Sequence, residues 1–249
     1  MKQFLFFIRR LSCLLALFVL TKPLFAQDIA NIKNAKPFSY SGALEVRTIG
    51  YQMNGAANRR NPFSLILSGS PTLSIYGWDV PFSVVYTDRK TNFQQPFNQF
   101  GLSPTYKWIT LHAGYRNVSF SPYTLGGHTM LGAGVELNPG KFRLGFMYGR
   151  LNKATVIDTL TQSLAPQAFN RKGYAVKVGY GSAKSFIDFS YLKAKDDSTG
   201  FVRSQLNKQF NPIAPAGNTV LGYKGQITFL KYFLIESEAA VSLYTRNLY

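Results

Sequence analysis

The chain has 249 residues, 46% of them hydrophobic and 15% aromatic, and carries 28 Lys and Arg against 11 Asp and Glu, a formal charge of +17. That length fits one β domain, and the single cysteine, Cys13, excludes a disulfide framework and thiolate metal sites. The basic balance invites a nucleic-acid partner, but none is expected for an exported chain striped with aromatic residues.

The first element is an export signal. Lys2, Arg9 and Arg10 precede an apolar run from Leu11 to Leu20, and Leu24-Phe25-Ala26 offers a cleavage site before Gln27. The run is too short to span a membrane comfortably, and most of it follows Cys13, where a lipoprotein signal would precede it. Residues 1–26 therefore read as a cleavable signal peptide, 27–37 as a short polar lead and 38–249 as the domain. Loss of the four basic residues in 1–26 leaves 24 against 11 acidic ones, a formal +13.

From Phe38 the chain alternates with a period of two. Tyr40, Gly42, Leu44 and Val46 oppose Ser39, Ser41, Ala43, Glu45 and Arg47 in a strand from Phe38 to Tyr51. Gln52 to Asn61 is a loop. Phe63 to Tyr76 is a strand bulged or broken at Ser68-Gly69-Ser70-Pro71. Gly77-Trp78-Asp79 makes a turn, and Pro81 to Thr87 returns. Asp88 to Ser103 is polar and amide-rich and reads as a connection. Thr105 to Arg116 resumes as one strand, with Lys107, Ile109, Leu111, Ala113 and Tyr115 opposite Trp108, Thr110, His112, Gly114 and Arg116. Asn117 to Gly126 is a loop.

Gly127 to Leu151 is the clearest hairpin. Leu131, Ala133, Val135 and Leu137 oppose Met130, Gly132, Gly134 and Glu136; beyond the turn, Phe142, Leu144, Phe146 and Tyr148 oppose Arg143, Gly145, Met147 and Gly149. Asn138-Pro139-Gly140 supplies the turn, since Pro fixes φ and Gly accepts φ > 0. After a long connection, Lys172 to Tyr180 and Ser185 to Leu192 form a second hairpin, with Lys177 and Asp188 facing away from Val176, Val178, Ile187 and Phe189. Lys193 to Gly217 is a long polar loop. Asn218 to Phe229 and Phe233 to Arg246 make the last hairpin, in which Glu236 and Glu238 face away from Ile235, Ala239, Val241 and Leu243.

The expectation is an all-β, antiparallel transmembrane β-barrel of about ten strands, either complete or part of a larger barrel. Beyond the signal no apolar run approaches the roughly 20 residues of a membrane helix, and only closed barrels otherwise satisfy the backbone in lipid. Tight turns alternate with long loops in the second half, as in outer-membrane barrels. A soluble β-sandwich is the alternative, with fewer outward aromatic residues and shorter loops. One conflict stands: 88–104 falls on the side of the tight turns, which requires a further strand between Phe63 and Arg116, an inner plug or an unusually long inner turn.

The segments Gln95-Pro96-Phe97-Asn98, Ser103-Pro104-Thr105-Tyr106-Lys107-Trp108 and His112-Ala113-Gly114-Tyr115-Arg116 resemble Gram-negative outer-membrane β-barrels, in particular uncharacterised Bacteroidota outer-membrane barrels. The resemblance implies a barrel in the cell outer membrane and brings no catalytic residues.

The expected lumen-facing charges are Glu45, Arg47, Arg116, Glu136, Arg143, Lys177, Asp188, Lys224, Glu236 and Glu238. In a narrow barrel they pair and close the lumen; in a wider one they line a weakly selective pore. Surplus cations fall in loops and rims: Arg59, Arg60, Arg89, Lys90, Arg171, Lys172, Lys193, Lys195, Arg203 and Lys208. They are solvated or meet lipopolysaccharide phosphates. No cofactor, metal or catalytic residue is expected. His112 reads as a hydrogen-bonded interior residue rather than a general base, His128 as a rim residue, and the loop acids Asp196-Asp197 as solvated, since two acids alone do not make a calcium site. The reading is a small porin for solutes; the alternative is a non-conducting barrel whose loops serve adhesion, envelope integrity or partner docking.

Overall fold

The computed structural model describes residues 37–55, 62–88, 98–155, 168–197, 214–229 and 233–248. The expected signal peptide, nearly all of the lead, the charges Arg59, Arg60, Arg89, Lys90, Arg203 and Lys208, and the Gln95–Phe97 motif residues lie outside the described residues.

Every regular element among the described residues is a strand, and all fourteen join one antiparallel sheet. In order they are β1 (Phe38–Ser41), β2 (Leu44–Gly50), β3 (Phe63–Gly69), β4 (Thr72–Ile75), β5 (Trp78–Thr87), β6 (Gln99–Leu102) and β7 (Thr105–Tyr106). There follow β8 (Ile109–Arg116), β9 (Met130–Leu137), β10 (Phe142–Asn152), β11 (Asn170–Gly181), β12 (Phe186–Asp197), β13 (Gly217–Phe229) and β14 (Phe233–Thr245).

Three pairs of these strands are single runs. One register carries β1 and β2 against β4 and β3, from Phe38↔Ile75 to Gly50↔Phe63. The Ser70 N–H bridges the gap by donating to the Ala43 carbonyl at 3.0 Å. Likewise β3–β4 is one run against β5, and β6–β7 one run between β5 and β8. The sheet is therefore a meander of eleven crossings, each beside its neighbours in sequence.

The count corrects the expectation of about ten. Thr105 to Arg116 is not one strand: the chain reverses at Lys107-Trp108, where Lys107 takes φ 52°. The end of the supposed 88–104 connection is the missing crossing, residues 99–106. Its presence removes the conflict over sides. The turns Tyr76-Gly77, Lys107-Trp108, 138–141 and 182–185 and the facing ends of β13 and β14 all fall at one end of the sheet, and the strand ends that the longer segments join fall at the other. The first of these turns sits one residue earlier than expected. Tyr76 and Gly77 both have φ > 0, as a two-residue hairpin turn matched to strand twist requires, so Trp78 and Asp79 belong to β5.

The two faces differ in chemistry. Residues 117–129 fold over one of them, burying Val118, Phe120 and Leu125 with Met130, Met147, Leu151, Ala175, Leu192 and Val220. We call this the inner face. On the outer face Phe142, Phe146, Tyr148, Val178, Tyr180 and Phe189 are exposed. Of the exposed large hydrophobic residues within strands, only Val85, Leu234 and Tyr244 have the inner parity. At the margins, β1, β2 and β14 are open on both faces. Neither β14 nor the β1–β2 run has a second strand neighbour among the described residues.

Candidate functional site

The register places Glu45, Arg47, Arg116, Glu136, Arg143, Lys177, Asp188, Lys224, Glu236 and Glu238 on the inner face. They do not form one cluster. Arg143 on β10 reaches past Gly179 on β11 and grips Asp188 on β12 with two parallel bonds, of 2.8 and 3.0 Å. A side chain on Gly179 would overlap the Asp188 carboxylate, so glycine is what opens that reach. The Arg143 guanidinium also lies 4.1 Å from the centre of the Phe186 ring. Asp188 is 4% exposed, and bidentate pairing is the arrangement that offsets its desolvation.

A second network starts at Glu136. One carboxylate oxygen accepts from Lys177 Nζ at 2.9 Å, and the other lies 3.2 Å from His112 Nε2. His112 Nδ1 is bonded to Ser103 Oγ at 2.8 Å, so the chain of contacts runs across β6–β7, β8, β9 and β11. Elsewhere Arg116 donates to Ser83 Oγ at 3.2 Å and leaves Nε without a partner. Glu45 and Arg47 pair along their own strand at 2.7 Å, both more than half exposed. Lys224, Glu236 and Glu238 make no salt bridge among the described residues, although Lys224 and Glu238 are register partners.

The sequence reading missed the infolded segment. Phe120 lies over Gly145 of β10, where an added methyl would come within 2.9 Å of its ring, and Lys177 Nζ sits 5.0 Å from the ring centre. Thr124 is fully buried against Gly222 of β13. Ser121 holds the turn, its Oγ accepting the N–H groups of Tyr123 and Thr124. The available signal was the pairing of Val118, Phe120 and Leu125 in a loop with inner-face glycines on distant strands.

The first crossings present a different inner wall. Ser68, Thr72 and Ser74 are half-buried and Ser39 and Ser41 exposed, with Ser74 bonded to Asp79.

Ser103, His112 and Glu136 stand in the order hydroxyl, imidazole, carboxylate, which invites a nucleophilic reading. The local geometry favours a structural bridge. Ser103 is 4% exposed, its N–H is spent on the Pro81 carbonyl at 3.0 Å, and Lys177 already engages the carboxylate. Nothing there aims two free N–H groups at a developing oxyanion.

Two expectations for other residues change. Asp196 and Asp197 lie on β12, not in a loop, and each meets a cation of β11: Arg171, directly opposite, bonds Asp196 at 2.7 and 3.0 Å, and Lys172, on the diagonal, bonds Asp197 at 3.1 Å. Arg171, Lys172, Lys193 and Lys195 are accordingly strand residues rather than loop charges. His128 is exposed just before β9. Among the described residues no group of three His, Cys, Asp or Glu could hold a metal ion, and no helix is long and apolar enough to cross a membrane. No protein-family model, curated protein or solved structure matches the chain.

Proposed function

We propose that the chain is an exported outer-membrane β-barrel protein that admits small solutes past an inner face narrowed by residues 117–129. The observation that carries this reading is the exposure of the outer face: it bears a band of exposed Phe, Tyr, Val, Leu and Ile, while the inner face holds ion pairs and hydroxyls beside the buried cluster under residues 117–129. A contiguous apolar band of that extent is unfavourable in water and favourable in lipid. Strands β10 to β14, of 11 to 13 residues, suit a tilted crossing of a bilayer. Short links at one end and long connections at the other match the periplasmic and external sides of such barrels.

The bare hydroxyl wall of β1 to β5 supports conduction, and the packed cluster around Phe120 supports the rival, a non-conducting barrel that presents its long connections to a partner. No catalytic role or cofactor is assigned. The test is single-channel recording from the refolded chain in planar bilayers, with insertion confirmed by protease protection. Discrete steps whose ion preference changes in a Glu45→Gln, Arg47→Gln variant support the pore. Silence from inserted protein supports the rival.

A further inference from the structure

On the outer face the register aligns side chains into rows across adjacent strands. Phe146 faces Val176, Tyr148 faces Tyr174, and Arg150 faces Lys172, in that order toward the end with the long connections. Lys172 in turn faces Lys195, and Tyr174 faces Lys193. An apolar row thus gives way to a tyrosine row and then to three cations side by side on β10, β11 and β12.

Directly opposed residues have Cβ atoms about 4.5–5.5 Å apart, where like charges repel. Among the described residues little relieves this. Lys172 has Asp197 at 3.1 Å, while among the described residues Arg150 donates to the neutral hydroxyl of Tyr115 at 3.0 Å and makes no salt bridge. Lys193 and Lys195 are exposed and make no salt bridge among the described residues. Asp196 has the inner parity and is held by Arg171.

We propose that Arg150, Lys172, Lys193 and Lys195 form a docking site for the phosphate of anionic lipid headgroups at the external margin of the apolar band. The assignment rests on the membrane reading above. Tyrosines favour the boundary between lipid and water, with the ring in one and the hydroxyl in the other. Arg150, Lys172 and Lys195, one row beyond, lie at headgroup height, and Lys193 ends the tyrosine row beside them. The Arg150 fork matches two phosphate oxygens, and the lysine stems let their ammonium groups converge on the same anion. A phosphate there replaces mutual repulsion with attraction to each cation.

The experiment compares the full chain with an Arg150→Gln, Lys172→Gln, Lys195→Gln variant. Both are inserted into phosphatidylcholine vesicles, with and without phosphatidylglycerol, insertion being read by protease protection. The expected result is that phosphatidylglycerol raises the melting temperature of the parent protein, while the variant melts alike in both vesicles. Equal gain by parent and variant, or no gain by either once inserted, overturns the site while leaving the membrane reading intact. Failure of the parent to insert into either vesicle overturns both. Inorganic phosphate added to phosphatidylcholine vesicles is expected to change nothing; an equal rise there overturns the assignment to lipid.

Discussion

The inner face is built in two ways. From β8 to β13 it is filled: residues 117–129 lie over it, glycines make room for Phe120 and Thr124, and the charges are joined across strands. From β1 to β5 it is a wall of small hydroxyls interspersed with Ile49, Ile66, Pro81 and Val85, with one exposed ion pair. The outer parity is apolar in both regions. The difference shows that the alternation of faces sets the sheet, while glycine placement decides which part of the inner face receives the chain's own loop.

Four substitutions test that contrast, each read as a urea midpoint of the refolded chain in detergent micelles. Phe120→Ala should be the most damaging, at about 3 kcal/mol, since it empties the centre of the packed half. It should also expose 117–126 to protease and, in the proposed pore, enlarge the conductance steps. An unchanged midpoint would mean that the segment does not hold the inner face together. Asp188→Ala leaves Arg143 without its partner; because that guanidinium is a quarter exposed, a loss of about 2 kcal/mol is expected rather than the full cost of a buried orphan charge. Lys177→Met should cost about 1 kcal/mol, as Glu136 retains His112. Glu45→Gln should fall within about 0.5 kcal/mol of the parent, because both partners are solvated. If Glu45→Gln cost as much as Asp188→Ala, the two halves would not differ in the way described.

Much of this was legible in the alternation of residues. The hairpin across Asn138-Pro139-Gly140 and the break near Ser70-Pro71 announce themselves through turn chemistry and parity, and the residues sharing a face follow from the period of two. The crossing at 99–106 did not, because its alternation is short, crosses Pro104 and ends in a Lys107-Trp108 reversal without Gly, Asn or Asp. Asp196-Asp197 looked like loop acids because the cations that bond them, Arg171 and Lys172, come from another strand. The infolded segment depends on contacts between residues about 25 and 100 positions apart, Phe120 with Gly145 and Thr124 with Gly222, and no local pattern encodes such a meeting.

The open margins carry a constraint on closure. The eleven antiparallel crossings among the described residues are an odd number, so the β1–β2 run and β14 point the same way, both away from the short turns. Joined directly, they would meet as a parallel ladder, the only one in the sheet, with slanted and evenly spaced bonds instead of paired perpendicular ones. A ring that is antiparallel throughout has an even number of members. Its seam would need an odd number of strands inserted between these margins, with the strand beside β14 running back toward the short turns.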